Sequence, residues 1–336
     1  MINVDVFVSG IIMCCNQSII GLDFGNGYCI EKCEFNELPF KDKIVDGRQK
    51  LDIDYYGSRI INNDKVYFMC LKKKDSIAIS GPQLNESQIK LTEKDLICDK
   101  ELTEYMDNEM KYLNEKIYLL RLFKEGNIGF KQVFFNYKFS VLGDYIKSNI
   151  DKSTLNMERN VIDNKLFTLS TEEITLCNQW INRYCGNPYK LLKDNIKEFC
   201  FAMEQLDIPT GFEQYTTVLE MTLLPANQNG KKQMLANRIS VMLGNTEEKV
   251  RELHEKIKKF YSFRSESLHE GNGSNITKNE LYELQNITRS VLKKCLMKCK
   301  IEYDINSNVS WEEVKTKIMH DLVTKVVEYK ELGILQ

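Results

Sequence analysis

The sequence predicts an α+β protein, with a mainly-β N-terminal domain over residues 1–150 and an all-α helical bundle over residues 165–336. Three observations predict it. Apolar residues alternate in short runs through the first hundred positions; beyond residue 170 they recur every three or four; and three capping boxes open the helical runs. A chain of 336 residues exceeds the usual single domain, and 43% apolar residues are enough to fill two cores.

In chain order, INVDVFVSGII (2–12) alternates and is rich in β-branched residues, as strands are. GLDFGNGYCIEKCEF (21–35), KLDIDYYGSRII (50–61) and KVYFMCLKK (65–73) repeat the style, and FGNGY and INNDK mark turns between them. The Phe24-Gly-Asn-Gly27 turn reads as a hairpin. A helix over 103–124 carries Met106, Met110, Leu113, Ile117 and Leu120 on one face, and GFKQVFFNYKF (129–139) is a further strand. The polar, Asn-rich stretch 151–164 is the linker.

Beyond it, Ser170-Thr-Glu-Glu173 caps a helix with Ile174, Cys177, Ile181 and Tyr184 at helical spacing. Asn187-Pro188 opens the next, since proline suits the first helical position. Helices over 212–224 and 231–243 end at Pro225 and Gly244, and a fifth runs from Thr246. Capping boxes at Thr277–Glu280 and Ser310–Glu313 open the sixth and seventh.

Composition narrows the classes. Eleven cysteines, odd in number and scattered, point to free thiols in a reducing compartment. No Lys or Arg precedes Lys32, so the apolar run 6–15 lacks the basic flank of a signal peptide, and it is too short to cross a bilayer. A cytoplasmic protein without a membrane segment is expected. Net charge is −2, too little for coating nucleic acid by charge alone, yet residues 231–300 hold 15 Lys+Arg against 8 Asp+Glu. No Walker loop, dinucleotide fingerprint or nucleophile elbow is present, so no cofactor is implied. The pairs Cys29/Cys33 and Cys295/Cys299 lack zinc-site spacing, and the second pair reads as core beside Leu292 and Leu296. No metal site is expected. His254 and His320 read as residues of polar helix faces.

The informative stretch is FRSESLHEGNG (263–273). The fifth helix has an apolar stripe of Val250, Leu253, Ile257 and Phe260, and the next step in that register is Arg264. A buried arginine needs a partner. His269 follows five residues later, about 140° around an ideal helix, so the two side chains share no face. They converge on one target if the helix unwinds near Leu268 or if a second copy supplies the other half of a cleft. The same residues also suit plain helix termination, with cations favoured by the helix dipole and glycines ending the turn.

Arg264-Ser-Glu-Ser-Leu-His269 resembles the R-x(4–6)-H signature of HEPN domains, and the aromatic lead-in KFYSFRS followed by LHEG is similar to their Apea-like branch. VLEMTLLP (218–225), LANRISVMLG (235–244) and the lysine-rich helix beyond resemble that family in order and spacing, over about residues 170–329. LRLFKEGNIGF (120–130) resembles the junction that follows the β-rich N-terminal domain of Apea-like proteins. Position 265 departs from the pattern, with Ser where nuclease members often carry Asn, Asp or His.

The resemblance implies metal-independent RNA cleavage, with the RNA 2′-OH as nucleophile. In that reading His269 transfers protons, Arg264 forks onto phosphate oxygens, Ser265 hydrogen-bonds the phosphate or orients the histidine, and Lys258 and Lys259 hold flanking phosphates. It also implies RNA, tRNA included, as the partner, a homodimer through the HEPN-like domain, and an N-terminal domain that senses a trigger or binds an inhibitor. A toxin or phage-defence effector would be built so. The alternative is a catalytically silent HEPN-like module for RNA binding or dimerisation.

Overall fold

The computed structural model describes residues 2–34, 37, 60–62, 65–79, 100–139, 143–149, 165–225, 229–270 and 276–335. The chain is α+β: an antiparallel sheet at the N-terminus precedes a helical region, with eight α-helices among the described residues. The described residues fall into two compact units, one running through Ile181 and the other from Asn182.

In the first unit the central strand β1 (Ile2–Met13) pairs antiparallel with β4 (Lys65–Ile79) and with β5 (Gly129–Phe139). β2 (Cys29–Glu34) and β3 (Ile60–Asn62) both pair β4, and β6 (Gly143–Asn149) pairs β5. The alternation read from the sequence has its physical cause here, because Val4, Val6 and Val8 are buried while Asn3 and Asp5 are exposed. The alternation ends at Val8, since Ser9 to Cys15 are all buried, and the pairing with β5 shifts register between Gly10 and Ile12. Helix α1 (Lys100–Phe123) shares this core through Leu102, Met106, Met110, Leu113, Ile117 and Leu120.

One expectation needs amendment, one strand went unread, and two readings fall largely or wholly outside the described residues. Phe24–Gly27 is a tight turn but not a hairpin: it leads into β2, which pairs β4 and not β1. Gly25, Asn26 and Gly27 all take positive φ there, Tyr28 N–H donates to Gly25 O at 3.0 Å, and the Tyr112 hydroxyl donates to Phe24 O. Strand β6 went unread because GDYIKSN is polar and hardly alternates; its pairing with β5 defines it. The run 50–61 lies outside the described residues except for its last two, which belong to β3. The linker 151–164 lies outside them entirely.

Helix α2 (Thr171–Tyr184) opens on the expected box, with Ser170 N–H donating to Glu173 and Glu173 N–H to the Ser170 hydroxyl. The sequence reading grouped it with the bundle, whereas its residues through Ile181 cluster with the sheet. Cys177 and Ile181 are buried in the sheet's core, Trp180 donates to Leu119 O at 3.1 Å, and Lys124 pairs with Glu173 at 2.7 Å.

The second unit holds α3 (Asn187–Met203), α4 (Ile208–Leu223), α5 (Lys231–Leu243), α6 (Glu247–Glu270), α7 (Lys278–Ile305) and α8 (Trp311–Glu331). The capping boxes at Thr277/Glu280 and Ser310/Glu313 are both formed. α4 starts four residues earlier than its apolar pattern suggests, because Asp207 caps it by accepting from Thr210 N–H and Pro209 fits its first turn. α7 packs on α3 and α4 and buries Leu292, Cys295, Leu296 and Cys299, the core role read for that cysteine pair. α5 and α6 fold back on each other about Gly244, where a Cβ would lie 2.5 Å from Val250 Cγ2. Among the described residues no helix is long and apolar enough to cross a membrane.

Gly126 sits at φ +126°, and a Cβ there would lie 2.6 Å from the Phe167 Cα. Phe167 N–H in turn donates to Cys14 O at 2.8 Å, tying the segment before α2 to β1. Gly126→Ala is expected to destabilise the first unit by more than about 1 kcal/mol, through both the strained φ and the clash. Gly27→Ala, with nothing within 4 Å of its Cβ, should lose less. Urea denaturation of the two variants checks the order.

Candidate functional site

Helix α6 runs without interruption from Glu247 to Glu270, so Arg264, Ser265 and His269 lie on one continuous helix. The unwinding near Leu268 that would let Arg264 and His269 converge within one chain does not occur. At 100° and 1.5 Å per residue they are about 140° and 7.5 Å apart on the helix. Ser265 is exposed, and the side chain of His269 lies outside the described residues.

The apolar stripe is buried as read: Val250, Leu253, Ile257 and Phe260 all face the core. Phe260 packs edge-on against Phe212 of α4, with Phe263 beside it. One step further, Arg264 is 17% exposed and finds its anion in Glu220 of α4, which is 12% exposed. The Arg264 Nη1 and the Tyr261 hydroxyl, at 3.0 Å, both donate to Glu220 Oε1, while Lys231 Nζ lies 3.1 Å from Oε2. Nη1 is also 3.4 Å from the Tyr261 hydroxyl, and Arg264 Nε is buried with no hydrogen-bond partner. Burial and the neighbouring Glu220 push the Tyr261 hydroxyl above its ordinary pKa, so at neutral pH it stays a donor.

The start of α5 adds to this cluster. Lys232 Nζ donates to Ser262 at 2.7 Å, and the helix begins after a left-handed Gly230 with no side-chain cap and no acidic residue in its first turn. Two lysines at the positive end of a helix dipole repel it, an arrangement unfavourable for folding alone. Among the described side chains, Arg264 and Lys231 share the carboxylate of Glu220, and Lys232 adds a third cation on the hydroxyl of Ser262.

The flanking lysines are engaged elsewhere. Lys259 pairs with Glu280 at 2.9 Å and sits over the Phe263 ring, while Lys258 lies 3.4 Å from Glu255. Sequence reading missed Glu220, Tyr261, Lys231 and Lys232. The Gly-Lys-Lys opening of α5 was a legible signal, because acidic residues are favoured there; nothing local marked Glu220.

His254 corrects the sequence reading. It is buried at 5% exposure, with Nε2 3.0 Å from Gln233 and Nδ1 3.0 Å from Glu255. Position 254 is four residues after Val250 and three before Ile257, which puts it on the inner face. Its hydrogen bond holds the Glu255 carboxyl below the usual range. His320 is largely exposed, as expected. The thiol of Cys70 on the neighbouring strand draws the Cys33 thiol down from its ordinary value. Burial pushes Cys299 up to about 12. Among the described residues there is no cluster of three or more His, Cys, Asp or Glu side chains able to hold a metal ion.

No family model, no curated protein and no solved structure matches the chain. The functional reading rests on the residues themselves.

A buried ion pair often adds less stability than an apolar pair in the same space, whereas removing one partner is destabilising. Arg264→Met restores the apolar register and leaves Glu220 its bonds from Lys231 and Tyr261, so it is expected to change stability by less than about 1 kcal/mol. Glu220→Ala, which leaves Arg264 and Lys231 without their anion, should lose about 2 kcal/mol, less than a fully buried pair because Lys231 is partly exposed. Chemical denaturation of both variants checks the asymmetry.

Proposed function

We propose that the chain is a metal-independent endoribonuclease of the HEPN type. One observation carries the reading: the apolar stripe of α6 is interrupted by a guanidinium, and two lysines from the first turn of α5 gather beside it. Folding does not require such a patch, and a phosphodiester fits it. Arg264 presents fixed donors to a non-bridging oxygen, and the lysines meet the neighbouring charge.

In the reaction the RNA 2′-OH attacks the adjacent phosphorus as its proton is removed. The 5′ oxygen leaves as a proton is delivered to it. The products are a 2′,3′-cyclic phosphate and a 5′-hydroxyl, with no water or metal consumed. His269 serves as the proton-transfer group, since an imidazole works near neutral pH, and Ser265 hydrogen-bonds the phosphate or the imidazole. A continuous helix holds Arg264 and His269 on different faces, so the reading includes a homodimer in which Arg264 of one copy works with His269 of the other. The sheet-bearing unit then restrains the nuclease or senses a trigger, the arrangement of a toxin or phage-defence effector.

A second reading, a silent RNA-binding or dimerisation module, is favoured by one feature: Glu220 already neutralises Arg264 in part. RNA cleavage in EDTA separates the two. His269→Ala is expected to lower the cleavage rate by at least about 100-fold, with the melting temperature unchanged and cyclic phosphate ends lost in parallel. RNA binding without cleavage by the wild-type protein would select the silent module, and an active His269→Ala protein would overturn the nuclease mechanism.

The shared cleft is tested separately by mixing. Arg264→Ala and His269→Ala proteins should each be inactive. After subunit exchange, a mixed dimer holds one intact Arg–His pair, which restores roughly a quarter of the wild-type rate for random pairing. No recovery on mixing would place both groups in one subunit.

A further inference from the structure

We infer that Glu220 is a positioning residue for Arg264, fixing its guanidinium before a phosphate arrives. The inference rests on reading Arg264 as a phosphate clamp, and it goes beyond that reading by assigning the clamp's holder. The geometry is that of a holder rather than a simple stabilising pair. The two oxygens of Glu220 are not spent on the two-pronged bond that stabilises an arginine best. Oε1 takes Arg264 Nη1 together with the Tyr261 hydroxyl, and Oε2 takes Lys231, so one carboxylate joins donors from α5 and α6 to α4.

The Arg264 Nε is left buried without a hydrogen bond, which a pair selected for stability alone would have satisfied. The register of α6 itself calls for an apolar residue at 264. The pair therefore stands where an apolar residue would fold at least as well. What it supplies is a long side chain already confined to one position, so that its rotamer freedom is lost before RNA binds rather than on binding. Tyr261, one turn before Arg264 on the same helix, braces the carboxylate from the side.

The test uses the full-length protein and Glu220→Gln, which keeps the side chain's shape and removes its charge. Turnover of RNA is expected to fall about 10–100-fold, as for other residues that orient a catalytic group. The KM for RNA should stay level or drop, because a negative charge has left the patch. Glu220→Asp should recover part of the turnover. A readout independent of cleavage is labelling of Arg264 by phenylglyoxal, followed by mass spectrometry of the digested protein. Arg264 should react several-fold faster in Glu220→Gln than in wild type.

An unchanged labelling rate would overturn the inference whatever cleavage does. Faster labelling with unchanged turnover would overturn it too, since the position of Arg264 would then not matter to the chemistry. A wild-type protein that cleaves no RNA would sink the nuclease reading instead, and labelling alone would then decide on Glu220. Should Glu220→Gln fail to fold, Tyr261→Phe carries the same two measurements, because it removes one hydrogen bond to the carboxylate and no charge.

Discussion

A guanidinium placed in the apolar stripe of a helix has to be met by an anion, and three helices of the second unit come together where α6 meets that need. Arg264 reaches across to Glu220 of α4, and the same carboxylate takes Tyr261 from α6 and Lys231 from the first turn of α5. Three helices are thereby tied at one point by charge, just beyond the layer where Phe212 and Phe260 tie α4 to α6 by apolar packing. The apolar layer supplies the stability. The charged layer restricts where the cations lie.

The first unit solves a similar problem differently. Glu109 of α1, with its side chain 10% exposed, accepts from Lys73 at 2.9 Å, from the Tyr28 hydroxyl and from Asn26. Lys73 also meets Asp75 at 3.0 Å, and Asp75 accepts from Tyr105. Burial and the bond to Glu109 push the Tyr28 hydroxyl well above its ordinary pKa, so it remains a donor throughout. Here two carboxylates meet one ammonium, two phenol hydroxyls and an amide, and the network fastens α1 to β4. The cluster at Glu220, by contrast, sets two cations on one carboxylate among the described side chains and leaves an arginine nitrogen unsatisfied.

Much of the fold was legible in the sequence where short-range physics governs it. The boxes at Ser170, Thr277 and Ser310 could be read because cap and partner lie three residues apart. The limits of β5 and the inner face of α7 followed from side-chain period alone. The misreadings share a different cause. His254 looked polar because only the largest apolar residues were used to set the register of α6, and a buried histidine is acceptable only once Gln233 is known to face it. β6 has almost no pattern of its own, and its existence depends on the edge that β5 offers.

The sequence by itself determined the order of sheet and helices, the stripe of α6 and its interruption at Arg264, because periodicity and capping act between residues a turn or less apart. Only the tertiary structure decided what that arginine touches. Glu220 is 44 residues away and Lys231 is 33, on other helices, and no local rule selects one glutamate among the many that could answer a buried charge. It also decided that α2 belongs with the sheet, since the partners of Trp180 and Lys124 are fixed by the packing of distant segments rather than by the helix's own pattern. Local propensity chooses the elements; the pairing of buried charge, which depends on every neighbour at once, is chosen only when they pack.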